Sequence, residues 1–513
     1  MVQRRRRSKS APSIGGASNA TSGKGHPYRQ ISYLLEPQNL YSQDKIAAIH
    51  EAALRGLEEL GIHFMLKEAR DIFISAGARV TGDVVRIGRD LVAASLASCP
   101  PKIMIKAPYA DYDRMLDQRS LLFTPAGGCP NVSDYERGRR AGDASSFVEA
   151  VKLTQMMDVL HIQSVAPEPQ DIPVHLRHIF MTHTQLGHCD KIMSIYARGR
   201  GQIMQNFEMI QTAMAIDEAC FQANPHVMTV INSNSPRIFD VPMAQAIIDF
   251  ARYGQLSVIT PFCLAGAMAP VTIEGALLLQ HMECLAGITL SQLTKAGAPV
   301  SYGGFASNVD MRSGSPAFGT PEHVKMQMIS GQLARYIGLP WRSAAGSASN
   351  MADAQGNLEN TNALWGAMQG HANLVLHAAG WLEGGLTFGF EKFITDCEAL
   401  QIIAELQSLD KEDEIDAALD AIAETEAGGH FFDNSHTMAR FRDAFYEPLN
   451  ADLANYGTWQ ANGGQSADQR ACQKWQDLLA SYQPSEAALQ RQERLAPLAE
   501  KLTKNGGAAP LDG

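Results

Sequence analysis

The sequence predicts an α/β protein built on a (β/α)8 barrel of the TIM type, with an N-terminal α+β cap and a C-terminal helical extension. Eight short apolar segments begin near Leu121, His161, Lys191, His226, Leu256, Pro299, Trp341 and Asn373. They recur every 30–40 residues or so, roughly the length of one strand–loop–helix unit. Most are followed by a loop and then an apolar period of three to four residues, as at 143–157, 241–253 and 273–295. A doubly wound open sheet is the rival architecture, but no G-x-G-x-x-G follows the first strand.

Each part follows in order. Residues 1–28 form a basic tail: Arg4–Arg7 lead into Ser8, Lys9 and Ser10, and Ser, Gly and Pro continue to Lys24. Such composition stays solvated and disordered rather than forming a nucleic-acid or membrane patch. No apolar stretch follows the arginines, so a secretory signal is not expected. Residues 29–117 read as a cap. Ile46, Ile49, Ala53, Leu54, Leu57 and Leu60 define a helix that Gly61 stops. A second helix covers 68–76, a hairpin covers 80–87, and a helix over 89–98 ends before Pro100. The barrel occupies 118–404, where Asp143 is placed to cap the first barrel helix. Beyond it, 405–505 is charge-rich and helical, notably at 410–424 and 485–504, and 506–513 frays.

Composition narrows the function. The chain has 513 residues, 45% of them hydrophobic, which suits a globular protein with a large core. A net charge of -11 opposes general nucleic-acid binding, which needs clustered Lys and Arg. No apolar run approaches the ~20 residues that span a bilayer. Eight cysteines, including Cys99, Cys129, Cys189 and Cys263, form no CxxC pair, as expected of a reducing cytoplasm.

Barrel active sites lie at the C-terminal strand ends, so chemistry is sought there. Those ends supply Asn131 and Asp134; Glu168 and Asp171; Tyr196 and Arg198; Asn232 and Asn234; Phe262 and Cys263; Tyr302, Phe305 and Asn308. The richest stretch is 340–385, where two successive strand–loop units end in Ser343, Ser347 and Asn350, then His377, Trp381 and Glu383. Phe262, Tyr302, Phe305, Trp381 and Phe390 offer either a box for a quaternary ammonium, by cation–π attraction, or ordinary rim packing. The histidines at 175, 178, 183 and 188 match no common zinc spacing, and no metal site is expected. His281 and Cys284 read as helix-packing residues.

Several segments resemble the trimethylamine methyltransferase family: GTPEHVKMQMISGQLARYIGLP (319–340), DAQ (353–355), NLVLHAAGWLEGG (373–385), CPNVSDYERGRRAGD (from Cys129), VAPEPQDIP (from Val165) and GHFFDNSHTMARFR (from Gly429). The likeness spans roughly 30–480 and implies the same barrel fold. It also implies transfer of a methyl group to a corrinoid protein. Archaeal trimethylamine enzymes of the family carry pyrrolysine in or near the loop that here reads AAGSASN, where this chain has Gly346 and Ser347. Members without pyrrolysine are associated with quaternary amines such as betaines, and the resemblance implies such a substrate here. A quaternary nitrogen leaves as a neutral tertiary amine without a general acid. The candidate substrate-binding residues are therefore Phe262, Tyr302, Phe305, Gly346, Ser347, Asn350 and Trp381. His377 and Glu383 are the candidate catalytic residues: His377 to position a substrate carboxylate or hydroxyl, Glu383 to face the ammonium or to cap a helix. No Asp-x-His-x-x-Gly signature is present, so cobalamin is expected on a separate corrinoid protein rather than on this chain. A cytoplasmic homo-oligomer without membrane or nucleic-acid partners is expected. Two alternatives stay open: a pyrrolysine-free trimethylamine enzyme, and a non-catalytic barrel that binds quaternary ammonium.

Overall fold

A curled eight-stranded sheet organises the chain. The computed structural model describes residues 27–163, 165–196, 198–408, 415–442 and 444–511, so the arginine run at 4–7 lies outside the described residues. Its parallel strands are β1 (Ser120–Phe123), β2 (Met193–Ser194), β3 (Val227–Ile231), β4 (Leu256–Ile259), β5 (Val300–Gly303), β6 (Trp341–Ala344) and β7 (Leu374–Leu376). They neighbour one another in the order β1-β7-β6-β5-β4-β3-β2, every pair parallel. The eighth strand, Ile31–Ser32, pairs antiparallel with the outer side of β1.

Seven of the eight expected strands are thus present in one sheet. The segment expected at His161 instead makes a single parallel bridge, Ile162 to Ile192. A side chain interrupts the ladder there. Phe123 N–H donates to His161 Nδ1 at 3.1 Å, and the other ring nitrogen meets Arg29 O at 3.0 Å. The backbone still links both neighbours: His161 and Ile162 N–H both reach Phe123 O, and Gln163 N–H reaches Ile192 O at 2.9 Å.

Helices follow the strands and that bridge: Ala144–Met156, Val174–His188, Arg200–Met214, Val241–Arg252, Ile273–Thr294, Pro321–Tyr336, Ala354–Gln369 and Phe390–Leu406. Asp143 caps the first through a capping box with Ser146, as expected. Asp240, Thr272, Thr320 and Asp353 each accept a first-turn N–H of later helices. Inside the sheet, Leu122, Ile162, Ile192, Met228, Val258 and Leu374 pack with Ile103, Ile105 and Leu116 of a hairpin, Ile103–Ile105 and Arg114–Leu116. That hairpin fills one end of the interior, and larger apolar side chains fill the space between sheet and helices.

The N-terminal helix runs Gln43–Glu59 and buries Ile46, Ile49, Ala53, Leu54 and Leu57 against Ile273–Thr294. Leu60 instead stays more than half exposed, since the helix ends before it. Tyr28, placed in the tail by the sequence, is packed in the structure. It lies under the Arg114 guanidinium, 3.8 Å from ring centre to carbon. At the other end Glu486–Lys504 packs on Val174–His188, and buried Arg491 ties it to Leu186 O, Cys189 O and the Asp190 carboxylate. The end expected to fray is held as far as Leu511: Ala508 N–H donates to His175 O and Leu511 N–H to Arg198 O, both at 3.0 Å.

His161 sets a pH dependence. Burial pushes its imidazole down to about 3, whereas an unfolded histidine titrates near about 6.5. As pH falls through that window the unfolded chain takes up a proton that the folded chain does not. Stability is therefore lost on acidification, by about 1.4 kcal/mol per pH unit for this group. Urea unfolding at several pH values should show a shallower slope in His161→Gln by roughly that amount; an unchanged slope would mean the folded ring titrates normally.

Candidate active site

A cavity of about 290 Å³ opens at the C-terminal ends of the parallel strands. Thr124, Gln163, Ser194, Val230, Arg342 and Leu376 line it from the strand ends, and Tyr196, Asn232, Phe262, Phe305, His377 and Trp381 from the loops above. Glycines 127, 128, 384 and 385 complete the lining with Pro125, Val165 and Leu386.

Backbone pairing places the aromatic rings. Phe262–Ala265 and Phe305–Val309 form a short parallel pair beyond β4 and β5, with Phe262 directly opposite Phe305. Their ring centres are 4.9 Å apart. Trp381 lies 6.1 Å from Phe305 and stacks on His377 at 4.7 Å, with 20° between the planes. Phe318 backs Trp381 edge-on at 5.0 Å. The indole is fixed by pairing of Trp381–Leu382 with Thr387–Gly389, and by Ser347 Oγ, which donates to Trp381 O at 3.1 Å. Gly346, at φ +101°, lies so close that a Cβ there would fall 2.1 Å from Trp381 Cε3.

His377 follows β7 in the left-handed region, at φ +56°, which is strained for a non-glycine residue. Gly127 N–H donates to its Nδ1 at 3.3 Å, leaving the ring proton to Nε2. Although its ring is open to the cavity, it lies deep in the molecule. Burial, reinforced by the charge of Arg342, holds it well below the usual histidine range. His377 is neutral at neutral pH.

Arg342 is the unexpected member. Its side chain is 1% exposed, its guanidinium carbon lies 4.7 Å from the Phe305 ring centre, and Nε and Nη1 find no hydrogen-bond partner among the described residues. Burial alone pushes the group down to about 9. No Asp or Glu is among the described lining residues.

Two loops carrying this wall are tied below the cavity. Asp396 accepts from Gly380 N–H at 2.9 Å and from Asn360 Nδ2 at 2.7 Å, with Lys392 beside it. Asn360 Oδ1 in turn accepts from Gly346 N–H at 2.6 Å.

Of the residues expected from sequence, Tyr196, Asn232, Phe262, Phe305, His377 and Trp381 line the cavity. Tyr302 does not: it is fully buried, its hydroxyl bonded to His281 Nδ1 at 3.1 Å and Gln280 Nε2 at 3.3 Å, because its side chain points from β5 into the helix layer. Gly346 and Ser347 sit behind Trp381 and shape the cavity through it. Asn350 is exposed to solvent, since the loop has turned outward by that point. Glu383 is not in the lining: its carboxylate meets Arg139 of the Gly138–Ala141 strand at 2.7 Å. Phe390 stacks on Trp475, away from the cavity. Among the described residues, no group of three or more His, Cys, Asp or Glu is arranged to hold a metal. Sequence reasoning missed Thr124, Gln163 and Arg342. For Arg342 the signal was present: a lone charge inside the apolar segment WRSA, which a parallel strand would bury on both faces.

A curled parallel sheet with a small aromatic cavity at its C-terminal strand ends is an arrangement in which enzyme sites are commonly found. The profile of the family described as "Trimethylamine methyltransferase (MTTB)" matches residues 3–507. The chain belongs to the trimethylamine methyltransferase family, and it is a methyltransferase. It is 32% identical over 456 residues to a glycine betaine methyltransferase of Desulfitobacterium hafniense (strain Y51), covering 88% of this chain and 95% of that one. It is 27% identical over 449 residues to the trimethylamine methyltransferase MttB of D. hafniense (strain DSM 10664 / DCB-2), covering 86% and 90%. Among solved structures, the monomethylamine methyltransferase MtmB of Methanosarcina barkeri aligns with TM-score 0.49 and 11% identity, over 90% of this chain and 88% of that one.

The geometry gives different roles to two aromatic residues expected at the site, Trp381 and Tyr302. Trp381→Leu and Gly346→Ala should both weaken ligand binding, the latter by displacing the indole that its new Cβ would overlap. Tyr302→Phe should leave affinity intact and cost about 1 kcal/mol of stability through its lost hydroxyl contacts. Calorimetric titration and urea unfolding of the three variants check this; a binding defect in Tyr302→Phe alone would reverse the assignment.

Proposed function

We propose that this chain takes a methyl group from a quaternary amine of the betaine type and delivers it to the cobalt of a separate corrinoid protein. The observation that carries this reading is the cavity wall: Phe262, Phe305 and Trp381 offer ring faces, while no carboxylate is present among the described lining residues. Ring faces hold a cation that has no N–H to donate, each desolvated contact contributing about 2 kcal/mol. The 32% identity to a relative named for glycine betaine supports the same choice.

The corrinoid partner supplies a Co(I) nucleophile that takes the methyl carbon as the C–N bond breaks and its electron pair stays on nitrogen. The amine leaves neutral, so no proton has to be delivered, and the neutral His377 is consistent with that. This chain's residues strip water from the ammonium, hold it against the rings and aim one C–N bond outward. Its cavity of about 290 Å³ is at the small end for ligand sites. It fits a small amine, whereas a corrin macrocycle must stay at the mouth.

We also read the curled sheet as a closed (β/α)8 barrel. The hydrogen bonds of His161, Ile162 and Gln163 to Phe123 and Ile192, which span the gap between β1 and β2, support this.

The test is methyl transfer to a reduced corrinoid protein with glycine betaine or trimethylamine as donor. Rapid appearance of dimethylglycine with little turnover of trimethylamine is expected. Equal rates for both donors, or turnover of trimethylamine alone, would overturn the substrate assignment.

A further inference from the structure

A cavity that binds a cation by its rings already contains a second cation. Like charges a few ångström apart repel strongly in a site shielded from water. Arg342 is 1% exposed, lines the cavity, and leaves Nε and Nη1 without a partner among the described residues. A buried guanidinium without an anion is strongly unfavourable. Such a group, aimed into a ligand cavity, indicates that the ligand brings the missing charge.

We infer that Arg342 is the seat of a carboxylate on the substrate, so that the site selects zwitterions, quaternary amines bearing a carboxylate, over amines that are only cationic. The inference rests on the proposed function and names the second half of its substrate. The other unpartnered atoms of the cavity divide by polarity in the same way. Thr124 Oγ1 and Trp381 Nε1 lack partners among the described residues and can donate to an anion. Gln163 Nε2 is tied to Lys191 O at 2.8 Å, which leaves its unpartnered Oε1 as an acceptor for the polarised methyl groups of an ammonium. One ring adjoins both charges: the Arg342 guanidinium carbon is 4.7 Å and the Trp381 ring 6.1 Å from the centre of Phe305. The spacer between carboxylate and nitrogen is therefore short. Burial holds the free guanidinium below its ordinary range, and a bound carboxylate reverses that push.

Three small probes separate the two ends: glycine betaine, tert-butylacetate, which keeps the carboxylate and loses the cation, and choline, which keeps the cation and loses the carboxylate. Calorimetric titration of the intact chain should show that both carboxylates bind, with choline about a hundredfold weaker than glycine betaine. Arg342→Met should weaken both carboxylates by about a hundredfold or more while leaving choline unchanged or tighter, and Arg342→Lys should restore part of the loss. The ligand-free Arg342→Met protein should melt at a higher temperature than the parent, because an uncompensated charge is gone. A lower melting temperature with equal loss of all three probes would make Arg342 a core residue and overturn the inference. So would equal affinity of the parent for choline and glycine betaine, or no binding of either carboxylate. If tert-butylacetate binds through Arg342 but glycine betaine is not demethylated with reduced corrinoid protein, the methyl-transfer reading falls and the carboxylate seat stands.

Discussion

The Asp396 carboxylate, buried in the helix that follows β7, joins the two loops on which the cavity wall is built. It receives the backbone N–H of Gly380 directly and reaches that of Gly346 through Asn360. Gly346 needs its bare Cα because the Trp381 ring occupies the space a side chain would take. Trp381 in turn is the plate on which His377 stacks. Further backbone bonds stitch the same loops, from Glu383 N–H to Ser349 O and from Gly384 N–H to Ser347 O. Lys392 supplies the compensating charge for Asp396, and losing either member of such a buried pair costs about 3–5 kcal/mol. The aromatic face is thus positioned by a polar network outside the cavity rather than by packing alone.

Charge in the cavity is arranged by desolvation. His377 and Arg342 are near enough to influence each other, and burial pushes both toward their neutral forms. The histidine yields and stays neutral. The guanidinium, far more basic to begin with, remains the one charged group among the described lining residues. A neutral imidazole stacked on an indole adds another flat, weakly polar wall. The site therefore offers an incoming ligand one fixed positive charge and several π faces, with no carboxylate in that lining to attract a cation.

Much of this was legible in the sequence, because apolar periodicity reports burial. Seven strands and the caps at Asp143 and Gly61 fell where turn chemistry and periodicity put them. His161 broke the pattern through a side chain that replaces a ladder carbonyl, an effect no periodicity encodes. The site was half readable. Position at the end of a strand picked out Tyr196, Asn232, Phe262, Phe305, His377 and Trp381. It failed for Tyr302, where alternation along β5 sends the ring to the helices, and for Glu383, whose partner Arg139 is distant in sequence. Arg342 lies inside an apolar strand, a position that a rule based on strand ends and loops does not pick out.

The packing at the base of the sheet has a kinetic meaning. Leu122, Met228 and Leu374 fill the interior with Ile103, Ile105 and Leu116 of the hairpin beneath them, so the cavity communicates with solvent by its upper mouth. On the proposed function, a donor molecule and a bulky acceptor protein would share that doorway and could not arrive in either sequence. The small molecule would have to be seated first, with the acceptor then acting as its lid. The spent amine would stay trapped until the acceptor withdrew, so that turnover would be a compulsory-order cycle whose last event waits on separation of two proteins.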